Sequence, residues 1–215
     1  ITADLAGRKI LITAGGTREP IDPIRFIGNR SSGRQGFALA AAAACRGAQV
    51  HLFAANTDLP VIEGVTITSV ETADQMAAVL EYEISECDAL IMSAAVADAK
   101  VANYSEQKIK KENLDVVSFS KNPDILRNLS EKKKPGQIIV GFAAETISGL
   151  AELQQRGEEK LVSKSLDLIY VNNVSDGAVF GSENTQGLII DKNHNVIKVP
   201  QISKDTLSDI LLDQL

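Results

Sequence analysis

Apolar residues in this chain gather into short aliphatic, β-branched runs separated by stretches with helical spacing. The runs at Lys9 to Thr13, Gln49 to Ala54, Val65 to Val70, Asp88 to Ala94, Gln137 to Ala143 and Leu166 to Asn172 predict buried strands. Helical segments fall between them. The alanine-rich stretch Gly36 to Arg46 is one, with Ser32 and Gln35 spaced as a capping box, and another places Met76, Val79, Leu80 and Ile84 on one face behind a Thr72 cap and Gln75. Alternation of this kind predicts an α/β fold, a Rossmann-like doubly wound sheet that is mainly parallel. Gly187 to Val199 reads as a C-terminal hairpin around a polar turn, and Ser203 as the cap of a last amphipathic helix through Ile210, Leu211 and Leu215. Lys100 to Ser120 is expected to project as an insertion from one domain spanning residues 1–215.

Composition narrows the partners. With 215 residues, 44% hydrophobic and 23% charged, the chain can bury a sizeable core. A net charge of −6 and a pI of about 5.0 argue against nucleic acid, which needs a broad basic face, so an anionic ligand must be met locally. No apolar run is long enough for a bilayer and the first residues lack a secretory pattern, so the expectation is a cytoplasmic protein without a membrane partner. Cys45 and Cys87 have no C-x-x-C spacing and are expected to be buried reduced thiols; His51 and His194 lie outside every polar cluster and are read as structural.

The densest polar segment runs from Thr13 to Gly33, between the first strand and its helix. Gly15 and Gly16 let the backbone approach a ligand closely, and Arg18, Glu19, Asp22, Arg25, Asn29 and Arg30 alternate with stiffening Pro20 and Pro23. G-x-G-x-x-G is not completed, and the helix starts far beyond the usual βα spacing, so a standard dinucleotide grip is not expected. Four further clusters follow strands or open helices. Ile91 to Asp98 offers small residues against which a flat ring can lie, or which simply pack against a helix. Gln107 to Lys111 is a dense basic patch, also readable as a solvated loop. Lys121 to Leu126 reads as a helix start with Asn122 as cap and Pro123 at the first position, leaving N–H groups for phosphate oxygens or a plain cap. Val140 to Thr146 ends in an aromatic and a carboxylate, before a helix carrying Lys160 and Lys164 on one face, which on its own also reads as a solvated face. Together they describe a nucleoside triphosphate site with magnesium carried by the phosphates. An NAD(P)-dependent reductase and a non-catalytic scaffold remain open at this level.

In order and spacing, the segments Thr13 to Asn29, Arg30-Ser-Ser-Gly33, Ala94 to Asp98, Lys108-Ile-Lys-Lys111, Lys121 to Ile125 and Gly141 to Thr146 resemble bacterial phosphopantothenate-cysteine ligases. In many bacteria that ligase is the C-terminal half of a bifunctional coenzyme A biosynthesis protein; nothing in this chain resembles its flavin-dependent decarboxylase half, and no flavin is expected here. The resemblance implies that 4′-phosphopantothenate, CTP with magnesium, and cysteine are the partners, and that an acyl-cytidylate precedes amide formation. It implies CTP contacts at Gly15, Gly16, Thr17, Met92, Ser93, Ala94, Asp98, Lys108, Pro123, Asp124, Ile125, Leu126, Phe142, Lys160 and Lys164. Substrate contacts are implied at Arg25, Asn29 and Ala95, catalytic roles at Asn29, Lys108 and Arg25, and a homodimer with each site near the partner chain.

Overall fold

The computed structural model describes residues 3–113, 116–147, 149–174 and 182–215. In chain order the strands are β1 (Lys9–Gly15), β2 (Arg18–Pro20), β3 (Phe26–Gly28), β4 (Gln49–Ala55), β5 (Val65–Val70), β6 (Ala89–Met92), β7 (Ala99–Val101), β8 (Phe119–Lys121), β9 (Ile138–Glu145), β10 (Leu168–Asn173), β11 (Asn184–Asp191) and β12 (Val196–Ser203). The helices are α1 (Arg34–Cys45), α2 (Ala73–Glu83), α3 (Ile125–Glu131), α4 (Leu150–Ser163) and α5 (Lys204–Leu212).

Eight strands form one sheet in the order β12-β11-β10-β9-β6-β1-β4-β5. From β5 to β10 all neighbours are parallel, whereas β11 and β12 close the edge as an antiparallel hairpin. The parallel part is the doubly wound 3-2-1-4-5-6 arrangement, with its reversal of winding between β1 and β6. Alternation along β1 explains the layers. Ile10, Ile12 and Ala14 face α1 and α5, while Leu11 faces the opposite core, built with Met76 and Leu80 of α2, Leu129 of α3 and Leu153 and Leu161 of α4. Both faces are therefore covered, as a parallel sheet requires.

Two small antiparallel ribbons stand off this sheet. β2 pairs with β3 inside the polar segment, and β7 pairs with β8 at the base of the insertion. The insertion's residues 114 and 115, and the chain's first two, lie outside the described residues. The expected structural roles of the histidines agree with their contacts: His51 lies between Glu83 (2.9 Å) and Thr68 (2.8 Å), and His194 occupies the β11–β12 turn with φ 64°.

Several local expectations need correction. α1 is capped by Gly33 at φ 76° without a side-chain bond; Gln35 instead donates to Lys204 O (3.2 Å) and Ser208 Oγ (3.0 Å), tying α1 to α5. α3 starts at Ile125, not Pro123. Asn122 N–H still continues the β7–β8 pairing by donating to Asp98 O (2.9 Å), and a residue before proline favours extended backbone, so Asp124 takes the cap and accepts from Arg127 N–H (3.2 Å). Lys164 is the cap residue after α4 rather than part of it. Cys45 is exposed at the end of α1; only Cys87 is buried, and burial pushes its thiol up to about 11.

Candidate functional site

Open α/β sheets collect ligands at the carboxyl ends of their strands, beside the reversal of winding. Here that crevice is closed. Beyond the strand ends, Ala95 N–H donates to Gly15 O (2.8 Å) and Thr17 N–H to Ala95 O (3.2 Å), while Thr17 Oγ1 accepts from Ala97 N–H (2.9 Å). A Cβ on Gly15, which has φ 83°, would lie 2.0 Å from Ala55 O, and one on Gly16 would lie 2.7 Å from Asn29 O. Close backbone approach thus requires glycine at both positions, and Gly15, Gly16 and Thr17 are all buried. None of the three lines either of the cavities described below.

The open space lies one strand over, at the ends of β6 and β9. A cavity of about 340 Å³ is lined by Met92, Ala94, Ala95 and Asp98 after β6, by Asn122 to Leu126 around the start of α3, by Phe142 to Ala144, and by Lys160 and Lys164. Those residues come from four chain segments; Met92, Ala94, Asp98, Pro123 to Leu126, Phe142, Lys160 and Lys164 are among the expected CTP contacts, Ala95 was expected on the substrate side, and Asn122, Ala143 and Ala144 were not expected as contacts. The lysines are engaged: Lys160 Nζ lies 2.6 Å from Glu145 and Lys164 Nζ 2.9 Å from Asp124. The part-exposed Lys164–Asp124 pair is worth roughly 1 kcal/mol or less, so a polyanion can displace that carboxylate at small cost, whereas Glu145 is more buried. Asn122 donates its amide to Ala97 O (2.9 Å), and its Oδ1 is buried without a hydrogen-bond partner among the described residues.

A second cavity of about 190 Å³ shares Ala94, Ala95 and Phe142 to Ala144 with the first and opens over the start of α1. Arg30, Arg34 and Lys204 bring cations to it, and the first turn of α1 adds N–H groups that no side chain caps. Burial, together with Arg34, lowers the Lys204 pKa; its ammonium donates to Ser182 O. Tyr170 forms the floor, edge-on to Phe142 at 5.4 Å and hydrogen-bonded to Thr185 Oγ1 (2.7 Å); burial pushes its phenol up to about 12. Gly36 keeps α1 close to β1, since a Cβ there would sit 2.5 Å from Ala14 Cβ and 2.7 Å from Thr13 O. Ser93 belongs to this side, its hydroxyl donating to Thr13 O (2.5 Å).

Sequence reasoning missed Arg34, Tyr170, Asn172 and Lys204. The Gly33-Arg-Gln-Gly36 step into α1 was the available signal for Arg34. Nothing local marks Tyr170 or Lys204, which reach the cavity only through sheet order.

The remaining expected residues line neither cavity. Asn29 is exposed and donates to Val96 O (3.1 Å), beside the segment that walls the first. Arg25 is held by Asp22 (2.7 Å), with Nη2 donating to Ile109 O (2.5 Å). Lys108 is exposed on the insertion and makes no side-chain hydrogen bond or ion pair among the described residues.

The sequence model of the family described as "DNA/pantothenate metabolism flavoprotein C-terminal domain" matches residues 5–215. The coenzyme A biosynthesis bifunctional protein CoaBC of Mycobacterium tuberculosis H37Rv is 40% identical over 220 residues, covering 99% of this chain and 53% of the relative. Its counterpart in Escherichia coli K12 is 38% identical over 217 residues, covering 99% and 52%. The chain therefore spans about half the length of these curated relatives. A crystal structure of the C-terminal domain of CoaBC superposes with a TM-score of 0.83 at 32% identity, covering 99% of this chain and 96% of that one. The chain belongs to the DNA/pantothenate metabolism flavoprotein C-terminal domain family, and its likeness is to the C-terminal domain of CoaBC.

Proposed function

We propose that this chain joins 4′-phosphopantothenate to cysteine in coenzyme A biosynthesis, using CTP. The carboxylate oxygen attacks the α-phosphorus and pyrophosphate leaves; the cysteine amine then attacks the acyl carbon, loses a proton and expels CMP. The observation that carries this reading is the pair of cation-bearing cavities with a common wall at Ala94, Ala95 and Phe142 to Ala144. A nucleotide in one and an anionic chain in the other would meet over that wall.

All reacting species are anionic, so the protein's work is alignment and charge neutralisation. Lys160 and Lys164 would trade Glu145 and Asp124 for triphosphate oxygens. Met92 to Ala94 supply backbone against the base and Phe142 an apolar side. Asn29, next to Val96, would hold the acyl part with Arg25 and Ala95, and Lys108 would approach on its arm. Magnesium, when bound, would neutralise phosphate charge. Asp98 lines the cavity and makes no salt bridge among the described residues.

Homodimer formation belongs to the same proposal. The two ribbons and their loops expose Ile24 (61%), Phe26 (49%), Tyr104 (51%), Val116 (83%) and Phe119 (54%), apolar side chains suited to a second copy. Turnover with each nucleotide tests the reading: CTP should support product formation at least about tenfold better than ATP, because a pocket built on hydrogen-bond pattern rejects a mismatched base. Equal rates would remove base recognition from the account.

A further inference from the structure

We propose that Asp22 is a positioning residue that ties the loop bearing Arg25 to the arm bearing Lys108, and so sets where both cations stand during amide formation. The inference rests on the ligase reading for its catalytic meaning and on geometry for its mechanism. Asp22 has a fully buried side chain in an exposed part of the molecule. Its Oδ1 accepts from Ile24 N–H (2.9 Å) and Arg25 N–H (2.8 Å), an ordinary aspartate turn. Its Oδ2 does something a turn does not need. It accepts from Arg25 Nε (3.0 Å) and from Ile109 N–H (3.1 Å), far away in sequence.

Arg25 then completes the clasp by donating Nη2 to Ile109 O (2.5 Å), and Ser105 N–H donates to Ile21 O (3.1 Å) just beside it. Both polar groups of Ile109 are thus held, and its N–H belongs to the peptide that begins at Lys108. The Lys108 backbone is fixed while its side chain stays exposed. Charge supports this. Burial alone would raise the Asp22 carboxyl, yet the N–H groups of Ile24, Arg25 and Ile109 and the Arg25 guanidinium bring it down to about 2, so the clasp is ionic at neutral pH.

Asp22→Asn tests the idea, because the amide keeps an acceptor for the turn but presents donors to Arg25 and Ile109. Kinetics of Asp22→Asn, Lys108→Gln and the double variant would be read with calorimetric CTP affinity and with amide hydrogen exchange across residues 105–110. Displacing Lys108 should cost about 100-fold in kcat while the Kd for CTP stays within about twofold. In the Lys108→Gln background the same change should cost almost nothing, since the two act as one unit. Exchange at 105–110 should quicken in Asp22→Asn and remain slow in Lys108→Gln. Unchanged exchange, a wild-type kcat or losses that multiply in the double variant would each overturn the proposal. Should the wild-type protein form no product with any triphosphate, the ligase reading fails, and exchange alone decides whether Asp22 holds the arm.

Discussion

At single positions, chemistry and packing separate cleanly. Lys108 and Asn29 stand exposed and support no core, so substituting them should change turnover and not folding. Lys108→Gln is expected to lower kcat by about 100-fold with a melting temperature within about 2 °C of wild type, because exposed side chains away from caps and cores contribute little to stability. Steady-state kinetics beside thermal denaturation checks this; wild-type turnover would reduce the basic patch to a solvated loop. Asn29→Ala should keep CTP binding by calorimetry and lose product, and an equal loss of both would move Asn29 into the nucleotide site. Gly36 is the opposite case. An added methyl would press on Ala14, Thr13 O and Ser93 Oγ, so Gly36→Ala should destabilise by ~2 kcal/mol in chemical denaturation, the range of overpacked cores. No change would mean that α1 can lift off β1 freely.

Elements show what patterning can and cannot reveal. The main strands and the long helices were legible because each buries a face with a regular period, and Thr72 and Ser203 cap their helices as their spacing suggests, accepting from Gln75 N–H (3.2 Å) and Thr206 N–H (3.1 Å). Ser203→Ala should cost about 1 kcal/mol, measurable by denaturant titration. The ribbons β2–β3 and β7–β8 were not legible: strands three residues long carry no usable period, and tertiary clasps hold them in place. Such a clasp has a pH signature. Asp22 is depressed in the folded state, so its stabilisation is present above the ordinary carboxylate value near ~4 and is lost as pH falls through about 2. Thermal stability should therefore fall more steeply between pH 4 and 2 in the wild type than in Asp22→Asn, although Asp167, also depressed against burial by Lys133 and Ile139 N–H, contributes an acid slope to both. Identical slopes would show that the clasp carries no ionic stabilisation.

Across the whole molecule, sheet order decides where the cavities open. The sequence marks Gly15 and Gly16 as special but cannot say that β1 and β6 stay zipped through Ala95, which closes the usual crevice and moves the open space to β6 and β9. Nor can it bring Lys204, from the start of the last helix, to the cavity over α1. Only the crossover order places them together. This layout puts two cation-bearing cavities on a shared wall, and the central claim of the proposed function is that an acyl-cytidylate forms across it. Phosphorus NMR of the protein with 4′-phosphopantothenate, CTP and magnesium, first without and then with cysteine, tests that claim most directly. The account predicts pyrophosphate in proportion to enzyme and no free CMP before cysteine is added, then CMP and the amide together afterwards. Release of CDP and inorganic phosphate, or no pyrophosphate until cysteine is present, would contradict it.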